Sequence, residues 1–212
     1  EGAYATDILT DPAQRTTRAK GCTTRIHGTD GTSLAPLPDG SLELFRKWGG
    51  ANAININWHT MGEFKKTLAA FPLGVNYGTF AGYNGIRRAV MRMKEGDPTD
   101  NESDSIMHVI ETALEEGAGG ISLNLDTAHG RRISHEEVRR AARLCAHAKK
   151  LFALTLRAQT EHCMEAAGEA LALYRTTGAR ILITDFLPRE LNKAEEKDFR
   201  PAYEMLAKAG DG

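Results

Sequence analysis

Cysteine is scarce in this chain: Cys22, Cys145 and Cys163 are the only three, and no two form a CxxC pair. Their odd number and isolation argue against a disulfide framework and fit a reducing, cytoplasmic setting. Long apolar runs are also missing. Nothing approaches the ~18 residues of a membrane span, and no basic start leads into an apolar signal segment, so no membrane partner is expected. Charge of one sign is lacking as well. Lys and Arg total 27 against 28 Asp and Glu, a net charge of −1, and the two signs interleave, as between Glu161 and Arg175. Solvated faces account for such a pattern, and no nucleic-acid partner is expected. The first residue is Glu1 rather than Met, which raises the expectation of a processed, trimmed or partly represented protein.

What the chain does have is apolar material for a core, 41% of residues, arranged in a repeating unit. A short run of strand character is followed by a segment of helical period, the pattern of a parallel sheet covered by helices, hence an α/β fold. Gly120 to Leu125, Leu151 to Leu156 and Arg180 to Thr184 read as strands, spaced by roughly the thirty residues of a βα unit. Between them, Ser105 to Glu116 sets Ile106, Val109, Ile110, Ala113 and Leu114 on one helical face, stopped by Gly117. Ser134 with Glu137 is a capping box that opens a helix to about Lys149. His162 to Thr176 is helical up to Gly178. Upstream, Pro12 to Lys20 predicts a helix closed by Gly21, and Thr23 to His27 and Val75 to Phe80 predict two more strands. Ala35 to Asn57 reads as a long connection with a helical pattern inside it, Leu42 to Trp48. One unit over residues 1–212 is expected.

Several stretches then fall in one order. Gly21-Cys22-Thr23-Thr24 runs on through Gly31, Ser33 and Pro36, and Trp58-His59-Thr60-Met61-Gly62-Glu63-Phe64 follows. Next come Gly82-Tyr83-Asn84-Gly85-Ile86-Arg87-Arg88-Ala89-Val90-Met91 and Gly117-Ala118-Gly119-Gly120-Ile121-Ser122. Ala153-Leu154-Thr155-Leu156-Arg157 and Ile183-Thr184-Asp185-Phe186 close the series. Together these resemble the N-acyl-D-amino-acid deacylase (D-aminoacylase) family of the metal-dependent amidohydrolases. The resemblance implies a TIM-type (β/α) barrel of the metallo-dependent hydrolase kind, of which this chain spans about strands two to six. That is short of a closed ring, in a chain below the ~250 residues usual for the fold. Open strand edges are seldom tolerated, so either a homo-oligomer or the remaining part of a longer chain is expected to cover them.

The resemblance further implies hydrolysis of an amide C–N bond in an N-acyl amino acid or similar small acid. Zinc or another divalent metal would lower the pKa of bound water and polarise the carbonyl. The departures concern that metal. The family's Cys after strand two corresponds to Asp30, its strand-five His to Thr155, its strand-six His to Asp185 and its Gly-His position to Tyr83. Asp30 and Asp185 are the candidate metal ligands, as carboxylates able to serve a hard cation, or are ordinary polar residues of a former site with no metal in this chain. His27, His59 and His129 lie near predicted strand ends or loops and offer a relocated ligand set, whereas the other histidines fit solvated or capping roles. Arg157 is a candidate clamp for a substrate carboxylate, or a structural partner of Asp185 or Asp126. Tyr83, Asn124 and Asp126 are candidate substrate-binding residues at the same mouth. Two functions stay open: an amidohydrolase-like domain, or a non-catalytic pseudoenzyme that binds a small acid or serves in assembly.

Overall fold

The computed structural model describes residues 6–39, 41, 56–157, 162–186 and 193–210. The helical pattern at Leu42 to Trp48 lies outside them. Among the described residues there are six strands: β1 (Thr24–His27), β2 (Asn76–Thr79), β3 (Ala81–Gly82), β4 (Gly120–Asn124), β5 (Leu151–Thr155) and β6 (Arg180–Ile183). The helices are α1 (Asp7–Thr10), α2 (Arg15–Ala19), α3 (Met61–Ala69), α4 (Tyr83–Val90), α5 (Asp100–Glu115), α6 (His135–His147), α7 (Cys163–Thr177) and α8 (Lys193–Gly210). β1 pairs with β2, and β3, β4, β5 and β6 follow in that order; every pairing is parallel. The α/β reading with parallel strands therefore holds.

The strand expected at Val75 to Phe80 reaches Gly82 and divides at Phe80. Its first half lies on β1 and its second on β4: the Phe80 N–H donates to the His27 carbonyl at 3.0 Å, and the Gly119 N–H donates to the Thr79 carbonyl at 2.8 Å. One stretch thus links the two ladders, and the strands follow one another in chain order.

Alternation along the strands sorts the side chains into two faces. Ile121, Leu123, Phe152 and Leu154, all at most 1% exposed, belong to the main core cluster with Ile106 and Ile110 of α5, Val138, Ala141 and Cys145 of α6 and Ala170 of α7. The opposite face carries smaller groups, among them Ser122, Ala153 and Thr155. At the two ends of the sheet order, that second face is open: Ile26 on β1 is 61% exposed and Leu182 on β6 is 41% exposed.

The helix starts follow side-chain chemistry. Capping boxes are complete at Thr60 with Glu63, Thr99 with Glu102 and Ser134 with Glu137, so reciprocal side-chain bonds satisfy orphan N–H groups at each start. Contact with backbone N–H groups holds the Glu63 and Glu102 carboxyls below their ordinary 4.5. Gly178, at φ +67°, closes α7 in the left-handed conformation that glycine adopts without steric cost. Two expectations shift. The helix expected from Ser105 begins at Asp100, because its first turn is polar and held by the Thr99 cap rather than by apolar period. The Pro12 to Lys20 helix contracts to Arg15–Ala19. No helix among the described residues is long and apolar enough to cross a membrane.

Candidate functional site

In a parallel sheet of this kind, ligands collect at the carboxyl ends of the strands. Those ends carry a layer of polar groups bonded to one another. After β1 the chain folds over them as a loop, residues 28–37. The Gly31 N–H donates to Ser122 Oγ at 3.1 Å, the Gly82 N–H donates to Ser33 Oγ at 3.0 Å, and the Gly85 N–H donates to the Gly31 carbonyl at 3.1 Å. Gly31 is required there. Its φ is +85°, and an added Cβ would stand 2.1 Å from Asn84 Oδ1. Farther along, the Trp58 indole N–H donates to the Leu34 carbonyl at 2.7 Å, fixing the loop to the core. Asp30, half-buried on this loop, accepts from the Thr32 hydroxyl at 3.0 Å.

Asn84, the second residue of α4, treats the end of β4 as another strand would. Its Nδ2 donates to the Asn124 carbonyl at 2.8 Å, and its Oδ1 accepts from the Asn124 N–H at 2.9 Å. Asn124 Oδ1 in turn accepts from the Asp126 N–H at 2.9 Å, and the Asp126 carboxylate pairs with Arg131 at 2.9 Å. At the ends of β5 and β6, the Thr155 and Thr184 hydroxyls lie 2.8 Å apart. Asp185 follows, exposed and at φ +55°, a conformation tolerated by Asp more readily than by most residues.

Arg157 has its donors spent. Nε and one terminal nitrogen donate to Glu169, at 3.2 and 3.3 Å, and the remaining N–H groups reach the carbonyls of Gly130, Arg131 and Ile133. Its carboxylate partner is thus Glu169 of α7, in place of the expected Asp185 or Asp126. The reason is reach: the planar fork spans from the β4–α6 connection to the helix behind it. Tyr83 is likewise engaged inside the core, 0% exposed, with its hydroxyl donating to Glu137 at 3.0 Å. Burial, and then the Glu137 charge, push its phenol well above the ordinary 10. Arg87 completes this group, with Nε 2.8 Å from Glu137 and a terminal nitrogen donating to the Gly96 carbonyl at 2.7 Å. Both side chains of the ion pair are 7% exposed. Glu137 was visible in the sequence only as a cap residue; its link to Arg87, fifty positions away, had no local signal.

Among the histidines, His27 stacks on Tyr77 with ring centroids 5.3 Å apart, His59 Nδ1 lies 3.3 Å from the Leu37 carbonyl, and His129 is exposed. Among the described residues, no three His, Cys, Asp or Glu side chains group closely enough to hold a metal ion.

The relatives agree with this architecture. A D-aminoacylase from Alcaligenes xylosoxydans xylosoxydans is 29% identical over 171 residues, covering 78% of this chain. The chain is a homologue of the D-aminoacylases. An N-acyl-D-aspartate deacylase from the same organism is 27% identical over 214 residues, or 95% of this chain. A D-aminoacylase variant solved with copper chloride superposes with a TM-score of 0.72 at 25% identity, covering 85% of this chain and 38% of that one. No family model matches. The chain spans 34% and 40% of the lengths of the two D-amino-acid deacylase relatives. Its similarity to these deacylases makes it an amidohydrolase-like domain.

Proposed function

We propose that the chain is a segment of a TIM-type barrel, about strands two to six, and that it forms the mouth at which an amidohydrolase takes an N-acyl-D-amino acid or a similar small acid. The observation that carries this is the strand order. Five strand positions run parallel in chain order, the split β2–β3 stretch counting as one, over a chain related to D-aminoacylases in sequence and in structure. Residues 1–212 then act as one unit of that barrel, and polypeptide beyond β1 and β6 closes the ring. In the whole protein the reaction is hydrolysis of the amide C–N bond.

Within this reading, Asn124 is the substrate-facing donor, since its Oδ1 is committed to the Asp126 N–H and its Nδ2 is left to turn to a ligand carboxylate or carbonyl. Asp30 and Asp185 border the same mouth. Tyr83, Arg157 and Asp126 stand behind it and set its shape, because Glu137, Glu169 and Arg131 hold them. Titration of the chain with N-acetyl-D-aspartate and with its L enantiomer, followed by calorimetry, tests the reading. Binding that favours the D form and weakens in Asn124→Ala is expected. Equal, negligible heats for both enantiomers would overturn it.

A further inference from the structure

We propose that the carboxyl ends of β4, β5 and β6 form a metal-free polar clasp, in which side chains bond one another across the strands at positions where a metal-dependent deacylase offers free ligands. This rests on the deacylase-type reading above, which is what implies a metal there. The chemistry of the donors is against that metal. Zinc and copper take imidazole nitrogen, thiolate sulfur or carboxylate oxygen, several of them in one shell. The resemblance assigns ligand positions to Asp30, Thr155 and Asp185. Thr155 brings a neutral alcohol that is 2% exposed, with its oxygen already 2.8 Å from Thr184 Oγ1. Asp30 accepts the Thr32 hydroxyl within its own loop. At these positions the chain itself offers two carboxylates and no imidazole, a thin contribution to a transition-metal shell.

The bonds at this level instead join elements. Thr155 to Thr184 ties β5 to the end of β6, and the Thr184 N–H adds a bond to the Leu154 carbonyl at 3.0 Å. Ser122, 0% exposed, ties β4 to the loop through Gly31, and Asn84 ties α4 to β4 through both backbone groups of Asn124. A metal holds strand ends together by drawing ligands from each; here hydrogen bonds between neighbouring elements do that work. Thr155 is buried and Thr184 half-buried, so each hydroxyl satisfies the other where water has limited access, and removal of one weakens the tie.

The test uses the full chain, purified without chelator, incubated with zinc chloride and dialysed. Elemental analysis is expected to find no stoichiometric zinc, and added zinc is expected to leave the thermal midpoint unchanged. Thr155→Val, which removes the partner of the half-buried Thr184 hydroxyl, is expected to lower the midpoint, while Thr155→Val combined with Thr184→Val recovers part of that loss. Thr155→Ser keeps the hydroxyl and retains most of the wild-type midpoint, which gives a reading even where the valine variant fails to fold. One equivalent of retained zinc that is lost in Asp185→Asn would overturn the proposal, as would a serine variant no better than the valine one. The enantiomer titration decides the deacylase-type reading separately, because it reads an organic ligand and no metal.

Discussion

The middle of the sheet and its two ends are built from the same alternating pattern and meet different surroundings. β4 and β5 are buried on both faces apart from one terminal residue each, whereas β1 and β6 alternate between exposed and half-buried positions. In the middle, one face packs on α5, α6 and α7, and on the other the loop lies over Ser122 and the Phe80 ring lies against Gly120. At the ends, Ile26 and Leu182 show the second face uncovered, and among the described residues neither β1 nor β6 has a strand on its outer side. The lesson is that period alone does not decide burial. A neighbouring strand on each side and a cover on each face do, and parallel strands with both are the ones that read as nearly continuous apolar runs.

Substitutions can sharpen that contrast. Phe152→Ala, in the covered middle, is expected to cost about 3–5 kcal/mol in urea unfolding, whereas Leu182→Ala at the open end is expected to cost well under ~1.5 kcal/mol, since its side chain already meets solvent. Equal costs would erase the distinction. Glu137→Ala leaves the Arg87 guanidinium buried without its counter-charge, with an expected loss of about 3–5 kcal/mol. Glu137→Gln keeps hydrogen-bonding capacity and should lose less, as read from the same unfolding curves. Burial also raises the Cys145 thiol to about 12, so at pH 8 it stays protonated and out of reach. A thiol reagent should label the exposed Cys22 quickly and leave the buried Cys145 and Cys163 until denaturant is added. The smallest effect is acidic. Glu63 and Glu102 have lowered pKa values in the fold, so their contribution is present above 4.5 and fades as pH falls through the lowered values. Circular dichroism should show the starts of α3 and α5 fraying below that range in the wild type, with no such change in a Glu63→Gln, Glu102→Gln variant.

Much of this was legible from residues. Ser134 and Glu137 marked the start of α6, and the runs at Gly120, Leu151 and Arg180 marked three strands, because caps and apolar period are local signals. The motif order carried the family likeness that the relatives then showed. The division of the strand at Phe80 was hidden, since it arises from two partners distant in sequence. α3 and α4 went unassigned: their residues stood out as motif segments, although Thr60 with Glu63 was a readable cap. For the candidate site the sequence offered residue types but no contacts. Arg157, Tyr83 and Asn124 are all able to meet a ligand by type, and only the fold shows Glu169, Glu137 and the Asp126 N–H as groups they meet; Asn84, which bonds both backbone groups of Asn124, was not singled out.

Amide hydrogen exchange resolved along the chain tests most directly the claim that this is a barrel segment closed in the middle and open at both ends. Slow exchange through β4 and β5 and fast exchange in β1 and β6 are expected, at concentrations where the chain is monomeric. Protection of β1 and β6 equal to that of β4 and β5 in the monomer would contradict it, because it would mean that both ends are already covered.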